Sequence, residues 1–421
     1  MRTIRFTCLL VVLSVLFAVP ARSIAWAQDG VPPTTGEITL RDVVDCFDEG
    51  LQEDGTPVYC EVSAVVFDGN DVVLASDKPI PGDGRSPVFS FPYPGSGSIA
   101  GSRTYLTAAA LVNAIKYEDM TLTPDGQYVI ASTGFDRVQD GSSEWDGYNT
   151  LLAWPVGDPD AVQVVSASTN DGVTSSVGLR DQISRALATP VLADGAPYFK
   201  VEGIAAIPGD RLLFGIREVG VKYDDFGYAV KIIAVSYRIV DGTLSLGDDF
   251  ELIYDFDPGE QSKISQTVGL SSIEYDTYHD RLYLLTSFET GETDEGLGGY
   301  LWTLPLDGLN DGQPATLVTK ASGDPLLFAH KSEGITVLSA NLLLVVHDDD
   351  RVLGRDTVED PDTQFSRGAH QSAYALVSLD SPTPALVPAP LPETGGVAYP
   401  VYAWLILLGV TLIVVGARHC A

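Results

Sequence analysis

Apolar and polar residues alternate in short runs along most of the chain, and the runs come in pairs joined by tight turns. The clearest pair is Val201-Glu202-Gly203-Ile204-Ala205-Ala206-Ile207, the turn Pro208-Gly209-Asp210, then Arg211-Leu212-Leu213-Phe214-Gly215-Ile216-Arg217-Glu218. A two-residue period places one set of side chains on each face of an extended strand, so these runs predict antiparallel hairpins rather than helices. The pattern returns at Ser332–Leu338 with Leu342–Val346 and at Tyr117–Thr123 with Tyr128–Ser132, and more faintly from Glu61 and from Ser271. A third apolar run follows each pair, at Val88–Pro92, Thr150–Val156, Ala229–Ile239, Tyr300–Leu306 and Ser372–Leu379. Some pairs gain a fourth, at Ala161–Ala167, Phe250–Phe256 and Ala315–Thr319.

Four short strands per unit, repeated with turn residues between them, predict an all-β fold: a β-propeller of five four-stranded blades, with six as the open alternative. A two-sheet sandwich with chance similarity between strands is the competing architecture. The last unit lacks a fourth run, while Glu37–Val43 stands apart near the other end of the chain. That segment is predicted to complete the last blade, which would close the ring and remove open sheet edges. Thr107–Ile115 and Leu179–Ala188 are the only stretches with a helical pattern, and both lie between units.

The two ends change the picture. Residues 1–27 carry Arg2 and Arg5, the apolar run Cys8–Val19 and then Ala25-Trp26-Ala27, the three parts of a cleaved secretory signal. Residues 28–380 form the predicted propeller domain. Ser381–Pro390 holds four prolines and reads as an extended spacer. Val397–Gly416 is an uncharged stretch long enough to cross a bilayer, with Arg418 and His419 after it. Just before it stands Leu391-Pro392-Glu393-Thr394-Gly395. Residues 391–421 therefore resemble the sorting signal of Gram-positive cell-wall proteins. The resemblance implies cleavage between Thr394 and Gly395 by a sortase and linkage to peptidoglycan, with membrane insertion before processing. The tail departs from that family in offering one firm positive charge, and a plain membrane anchor is the alternative.

The chain has 421 residues, 45% hydrophobic and 19% charged, with a formal net charge of −32. It is too apolar for a disordered polyanion, and so acidic a surface argues against nucleic acid as a partner. Cys8 and Cys420 leave with the two end segments. Cys46 and Cys60 remain, and in an exported chain they are expected to pair as one disulfide.

Within this frame, Phe199–Ile239 and His330–Asp350 resemble the secreted bacterial propellers grouped as phytase-like or esterase-like domains, and an uncharacterised family close to them. The likeness extends more weakly over Glu61–Leu379. It implies ester or phosphoester hydrolysis, although many members of these families have no demonstrated activity.

Hairpin geometry says where chemistry would sit. In an antiparallel pair, the start of the inner strand and the end of the second strand lie at the same end, and ring symmetry gathers these positions on one rim. Glu61, Glu118, Glu202 and Glu333, with Asp119 beside them, are predicted there from inner strands. From second strands come Asp77, Lys78, Asp136, Arg137, Arg217, Glu218, Glu289, His347 and Asp348. One reading makes Glu118, Glu202 and Glu333 ligands of Ca²⁺ or Mg²⁺, with Glu202, Arg217 and His347 as catalytic groups and Arg217 as the clamp on an anionic ester. The other reading has each Glu cap backbone amides or pair with Arg to fix the ring. The acidic runs His347–Arg351 and Glu359–Asp362 are a weaker candidate for a Ca²⁺ loop. No Gly-x-Ser-x-Gly elbow, phosphate-cradling Gly-Lys-Ser/Thr loop, His-Glu-x-x-His or Cys-x-x-Cys is present. These absences leave a serine-hydrolase mechanism without local support, and the resemblance, together with the converging rim, makes a small-molecule ester the leading substrate class. The alternative is a non-catalytic propeller that binds a glycan, peptide or surface partner through loops such as Asp136–Tyr148 with its Trp145.

Overall fold

The computed structural model describes residues 34–380 apart from 96, 140, 261–262, 291–295 and 356–364. The predicted signal, spacer, sorting motif, apolar span and the acidic run 359–362 lie outside the described residues. Among the described residues, no helix is long and apolar enough to cross a membrane.

Five antiparallel sheets match the five sequence units. Blade 1 consists of Val62–Phe67, Asp71–Ser76, Val88–Pro92 and Thr104–Tyr105, and blade 2 of Tyr117–Leu122, Tyr128–Thr133, Leu151–Pro155 and Gln163–Val164. Blade 3 consists of Tyr198–Ile207, Arg211–Lys222 and Asp225–Val240, with its outer edge in two pieces, Thr243–Leu246 and Glu251–Phe256. Blade 4 consists of Gly269–Asp276, Arg281–Glu289 and Leu297–Pro305, again with a divided outer edge, Thr316–Leu317 and Leu327–Phe328. Blade 5 begins with Ser332–Ser339, Leu342–His347 and Gln371–Asp380. Each inner strand packs against the next, and that of blade 5 packs against that of blade 1, so the ring closes at five rather than six.

The predicted closing strand is present. Thr35–Asp45 lies antiparallel beside Gln371–Asp380, with Glu37 opposite Ser378 and Val43 opposite Ala373. The chain's first described strand therefore supplies the outer edge of its last blade, so the first and last described strands share one sheet. Cys46 follows this strand directly, Cys60 precedes blade 1, and the two are joined as a disulfide.

Burial is divided among five apolar cores, one between each pair of neighbouring blades. Each sheet thus has two apolar faces, which explains strand interiors that read as continuous apolar runs. Close approach also needs small residues. A Cβ on Gly215 would stand 2.6 Å from Leu270 and 2.8 Å from Ile273, so blades 3 and 4 can meet there only over glycine. The two predicted helices form as Ala109–Asn113 and Arg180–Ala186, each burying one apolar side chain, Leu111 and Ile183, in an interblade core. A third, Leu306–Asp311, corrects the expectation of only two. It is a short turn that starts after Pro305 and stops at Gly312, whose φ of 64° is left-handed.

Candidate functional site

The site begins with an irregularity shared by all five inner strands. In each, the pairing with the second strand skips one residue near the start: Ser63, Glu118, Glu202, Ser271 and Glu333. Such bulges re-aim a side chain and recur beside functional sites. Here they turn Glu118, Glu202 and Glu333 into the channel mouth, where their carboxylate oxygens lie within 4.8 Å of one another. All three are buried.

Sequence reasoning missed the basic partners of these carboxylates. Lys116, Lys200 and Lys331 each precede a bulged Glu by two residues, Lys200 within its strand and Lys116 and Lys331 just before theirs. The recurring Lys-x-Glu was the available signal. Lys116 lies 3.0 Å from Glu118, Lys331 3.2 Å from Glu333, and Lys200 contacts Glu202 as well as Glu118 at 3.3 Å. Arg217 completes the set. Its guanidinium is 3.3 Å from Glu202 and donates to Ser271 Oγ at 2.9 Å and Ser287 Oγ at 2.8 Å. Four cations therefore surround three carboxylates at the floor of an open cavity of about 350 Å³.

The electrostatics separate the three acids. Burial drives the Glu202 carboxyl up, but Arg217, Lys200 and Lys331 together outweigh it and hold the group down at about 2. Burial dominates at Glu333, with Glu202 adding to the rise against the pull of Lys331, and its carboxyl is pushed to about 8. Glu118 is also raised by burial, opposed by Lys116 and Lys200. Both oxygens of Glu333 are buried without a hydrogen-bond partner among the described residues.

The other rim positions divide. Asp77, Lys78, Asp136, Arg137, Glu218, Glu289 and Asp348 line the cavity as predicted, and so does Asp350. Glu61 does not. The bulge in blade 1 falls at Ser63, so Glu61 occupies the position that Lys holds in three other blades, and it gathers with Asp77 and Asp348 in a second buried trio. Lys78 pairs with Glu61 at 2.8 Å and with Asp77 at 2.8 Å. Burial, reinforced by Asp77, lifts the Glu61 carboxyl to about 7.

Asp119 and His347 point elsewhere. Asp119 accepts hydrogen bonds from the N–H groups of Ile204 and Ile273 and from Ser272 Oγ, tying blade 2 to blades 3 and 4. His347 sits beneath the rim, buried, with its ring stacked 4.4 Å from that of His330 and its Nδ1 3.2 Å from Ser332 Oγ. Burial and His330 keep its pKa well down, so it is neutral. It does not line the cavity.

For a divalent ion, the oxygens of Glu118, Glu202 and Glu333 have the hardness and convergence required. Of the four cations that pair with them, three are shared with further acids of the cavity: Lys116 lies 3.8 Å from Asp77, Lys331 3.8 Å from Glu289 and 3.9 Å from Asp350, and Arg217 4.0 Å from Glu218. The donor atoms fit a metal, and the same floor also presents Lys116, Lys200, Arg217 and Lys331 as donors to an anion with acceptor oxygens.

No family model matches the chain, and no curated protein matches it. Among solved structures, a Dyadobacter fermentans protein of unknown function is 10% identical with a TM-score of 0.38, covering 82% of this chain and 99% of its own. The PQQ-bound aldose sugar dehydrogenase of Streptomyces coelicolor is 12% identical with a TM-score of 0.33, covering 81% and 99%. A luciferin-regenerating enzyme is 10% identical with a TM-score of 0.33, covering 80% and 95%. At this level of similarity nothing about chemistry transfers to the chain.

Proposed function

We propose that the channel mouth binds the anionic group of a small ester, a phosphoester by its charge, and hydrolyses it by acid–base chemistry. The observation that supports this reading is the ring of Lys116, Lys200, Arg217 and Lys331 around three carboxylates held in different protonation states. Arg217 and the lysines hold the phosphoryl oxygens. Glu202, ionised throughout, fixes Arg217 and Lys200 in place. Glu333, neutral at pH 7, gives its proton to the leaving alcohol oxygen as the P–O ester bond breaks. Glu118, held beside Lys116 and Lys200, takes the proton from the attacking water as the new O–P bond forms. Proton return from Glu118 to Glu333 resets the pair. His347 transfers no proton in this scheme, and no step requires a metal ion.

The reading places the domain outside the cell, attached to the wall of a Gram-positive-type bacterium. The end segments support that address, and so does the Cys46–Cys60 disulfide, since such bonds persist in oxidising compartments. The test combines calorimetric titration with inorganic phosphate and turnover of phosphoesters and carboxylic esters, each with EDTA and with added Ca²⁺ or Mg²⁺. Phosphate binding that survives EDTA and is lost in Arg217→Ala is expected, with turnover lost in Glu333→Gln. Absence of phosphate binding, or activity that survives Glu202→Gln with Arg217→Ala, overturns the reading. Activity strictly dependent on added metal returns Glu118, Glu202 and Glu333 to the role of metal ligands. Phosphate binding without turnover of any ester leaves a non-catalytic binding propeller.

A further inference from the structure

Blade 3 departs from the others on one side of the mouth. The second strands of blades 1, 2 and 5 end at Ser76, Thr133 and His347, whereas that of blade 3 continues past the rim to Lys222 and returns from Asp225. Gly220 faces Phe226 and Lys222 faces Asp225 across this hairpin, which overhangs the cavity. Its aromatic side chains, Tyr223, Phe226 and Tyr228, line the cavity together with Tyr198. Ring centres lie 5.6 Å apart for Tyr198 and Phe226, 6.1 Å for Tyr198 and Tyr223, and 5.8 Å for Phe226 and Tyr228. One wall of a charged pocket is therefore a continuous aromatic surface.

The surface does not stop at the cavity. Tyr223 and Tyr198, with Asp136 and Arg137, also line an adjoining groove whose remaining walls include Val138, Trp145, Pro197 and Val221. Arg137 lies 5.1 Å from the ring centres of Tyr148 and Tyr223 and 5.2 Å from that of Trp145, so it holds the hairpin tip against the blade 2 loop. The apolar side chains here remain in solvent: Tyr223 is 61% exposed, Val221 56%, Val138 48% and Phe226 37%. Contiguous exposed apolar surface at the lip of a pocket marks a ligand contact, since folding alone gives no reason to leave it uncovered.

We propose that the ester taken by the mouth carries a flat apolar group of the aryl type on its leaving oxygen, laid against the blade 3 hairpin while the anion sits on the cationic floor. This rests on the anion-binding reading above and adds the chemical class of the other half of the substrate. The continuity of the aromatic wall with the cavity sets the occupant: a ring attached directly to the anion reaches Tyr223 and Phe226 without leaving the pocket. A polyol would meet the same rings but gain nothing from the valines beyond them.

Non-hydrolysable phosphonates test this by calorimetry on the whole protein. Inorganic phosphate, methylphosphonate, naphthylmethylphosphonate and the phosphonate analogue of a hexose phosphate are titrated into the wild type and into Tyr223→Ser/Phe226→Ser. Both positions are exposed, so the variant keeps the fold. The naphthyl compound is expected to bind about tenfold more tightly than methylphosphonate to the wild type, with the ratio falling to about twofold in the variant and phosphate affinity unchanged. An equal affinity for the methyl and naphthyl compounds overturns the proposal while leaving the anion site standing, as does a hexose compound that matches the naphthyl one. A ratio that persists in the variant overturns it too. Failure of every ligand, phosphate included, overturns the anion site and the proposal with it.

Discussion

Asp119 of blade 2 accepts a hydrogen bond from Ser272 of blade 4 at 2.9 Å, although the two residues are far apart in sequence and blade 3 lies between their blades around the ring. The same oxygen accepts from Ile204 N–H at 2.9 Å and from Ile273 N–H at 3.2 Å. One buried carboxyl thus satisfies backbone N–H groups on the inner, edge strands of two neighbouring blades. Removing it orphans buried donors, each costing roughly 1–3 kcal/mol. Asp119→Ala is expected to lower the unfolding free energy by roughly 3 kcal/mol or more, and Asp119→Asn by less, because the amide oxygen still accepts. Urea denaturation of both variants checks this, and an Ala variant as stable as the parent would refute the linking role.

Glu274 plays a similar part between blades 4 and 5, accepting from Val337 N–H at 3.1 Å and Thr336 Oγ1 at 3.2 Å. Burial, only partly offset by these bonds, pushes its carboxyl to about 8. The folded protein therefore keeps a proton that the unfolded chain releases near its ordinary carboxylate pKa. Stability from this group is fully present below that ordinary value and is lost as pH rises through about 8. Glu333 and Glu61, also raised, act in the same direction. Glu202, held at about 2, acts oppositely, but only on acidification below the ordinary range. The denaturation midpoint is expected to fall between pH 5.5 and pH 8.5, and Glu274→Gln to flatten the slope. A midpoint that climbs over that interval would contradict the assignment.

The disulfide fastens the place where the ring closes. Cys46 N–H bonds His370 O at 2.9 Å and Cys60 N–H bonds Ala369 O at 2.8 Å, so the bridged loop hangs on the turn before the strand that the N-terminal segment joins. Closing a loop of this length restricts the unfolded chain by about 3 kcal/mol in the entropy model. Cys46→Ser with Cys60→Ser should lose about that much and show earlier proteolysis within residues 34–60. Unchanged stability in the double variant would mean that the edge strand needs no staple.

How far these features could be read from the chain depends on what each one rests on. The Glu-Gly-Ile copies at Glu202 and Glu333 announced the repeat because the bulge, the small residue and the apolar continuation are all local. The closing strand was legible by arithmetic of strands, since a propeller cannot leave its last blade one edge short. Register was not legible in blade 1. Aligning Glu61 with Glu118 is natural by residue type, yet a two-residue shift at the bulge gives its place to Ser63. The lysines escaped notice because acids were sought as ligands, while the strand that holds Glu202 also holds Lys200. Nothing local marks the overhang of blade 3. Its strands simply run on past Arg217, and only the ring shows what lies beneath them.

The two ends of the chain carry an expectation that the fold does not supply. Leu391-Pro392-Glu393-Thr394-Gly395 precedes an apolar stretch, and a Pro-rich spacer separates it from the last strand, which ends at Asp380. If a sortase cuts after Thr394, Thr394→Ala removes the cleavage site while leaving the apolar segment intact, and the protein is expected to shift from the wall fraction to the membrane fraction of a Gram-positive host. Deleting 397–416 should instead release it into the medium. Wall retention equal to that of the parent in the Thr394→Ala strain would exclude sortase linkage, and membrane retention of both parent and variant would identify a plain anchor.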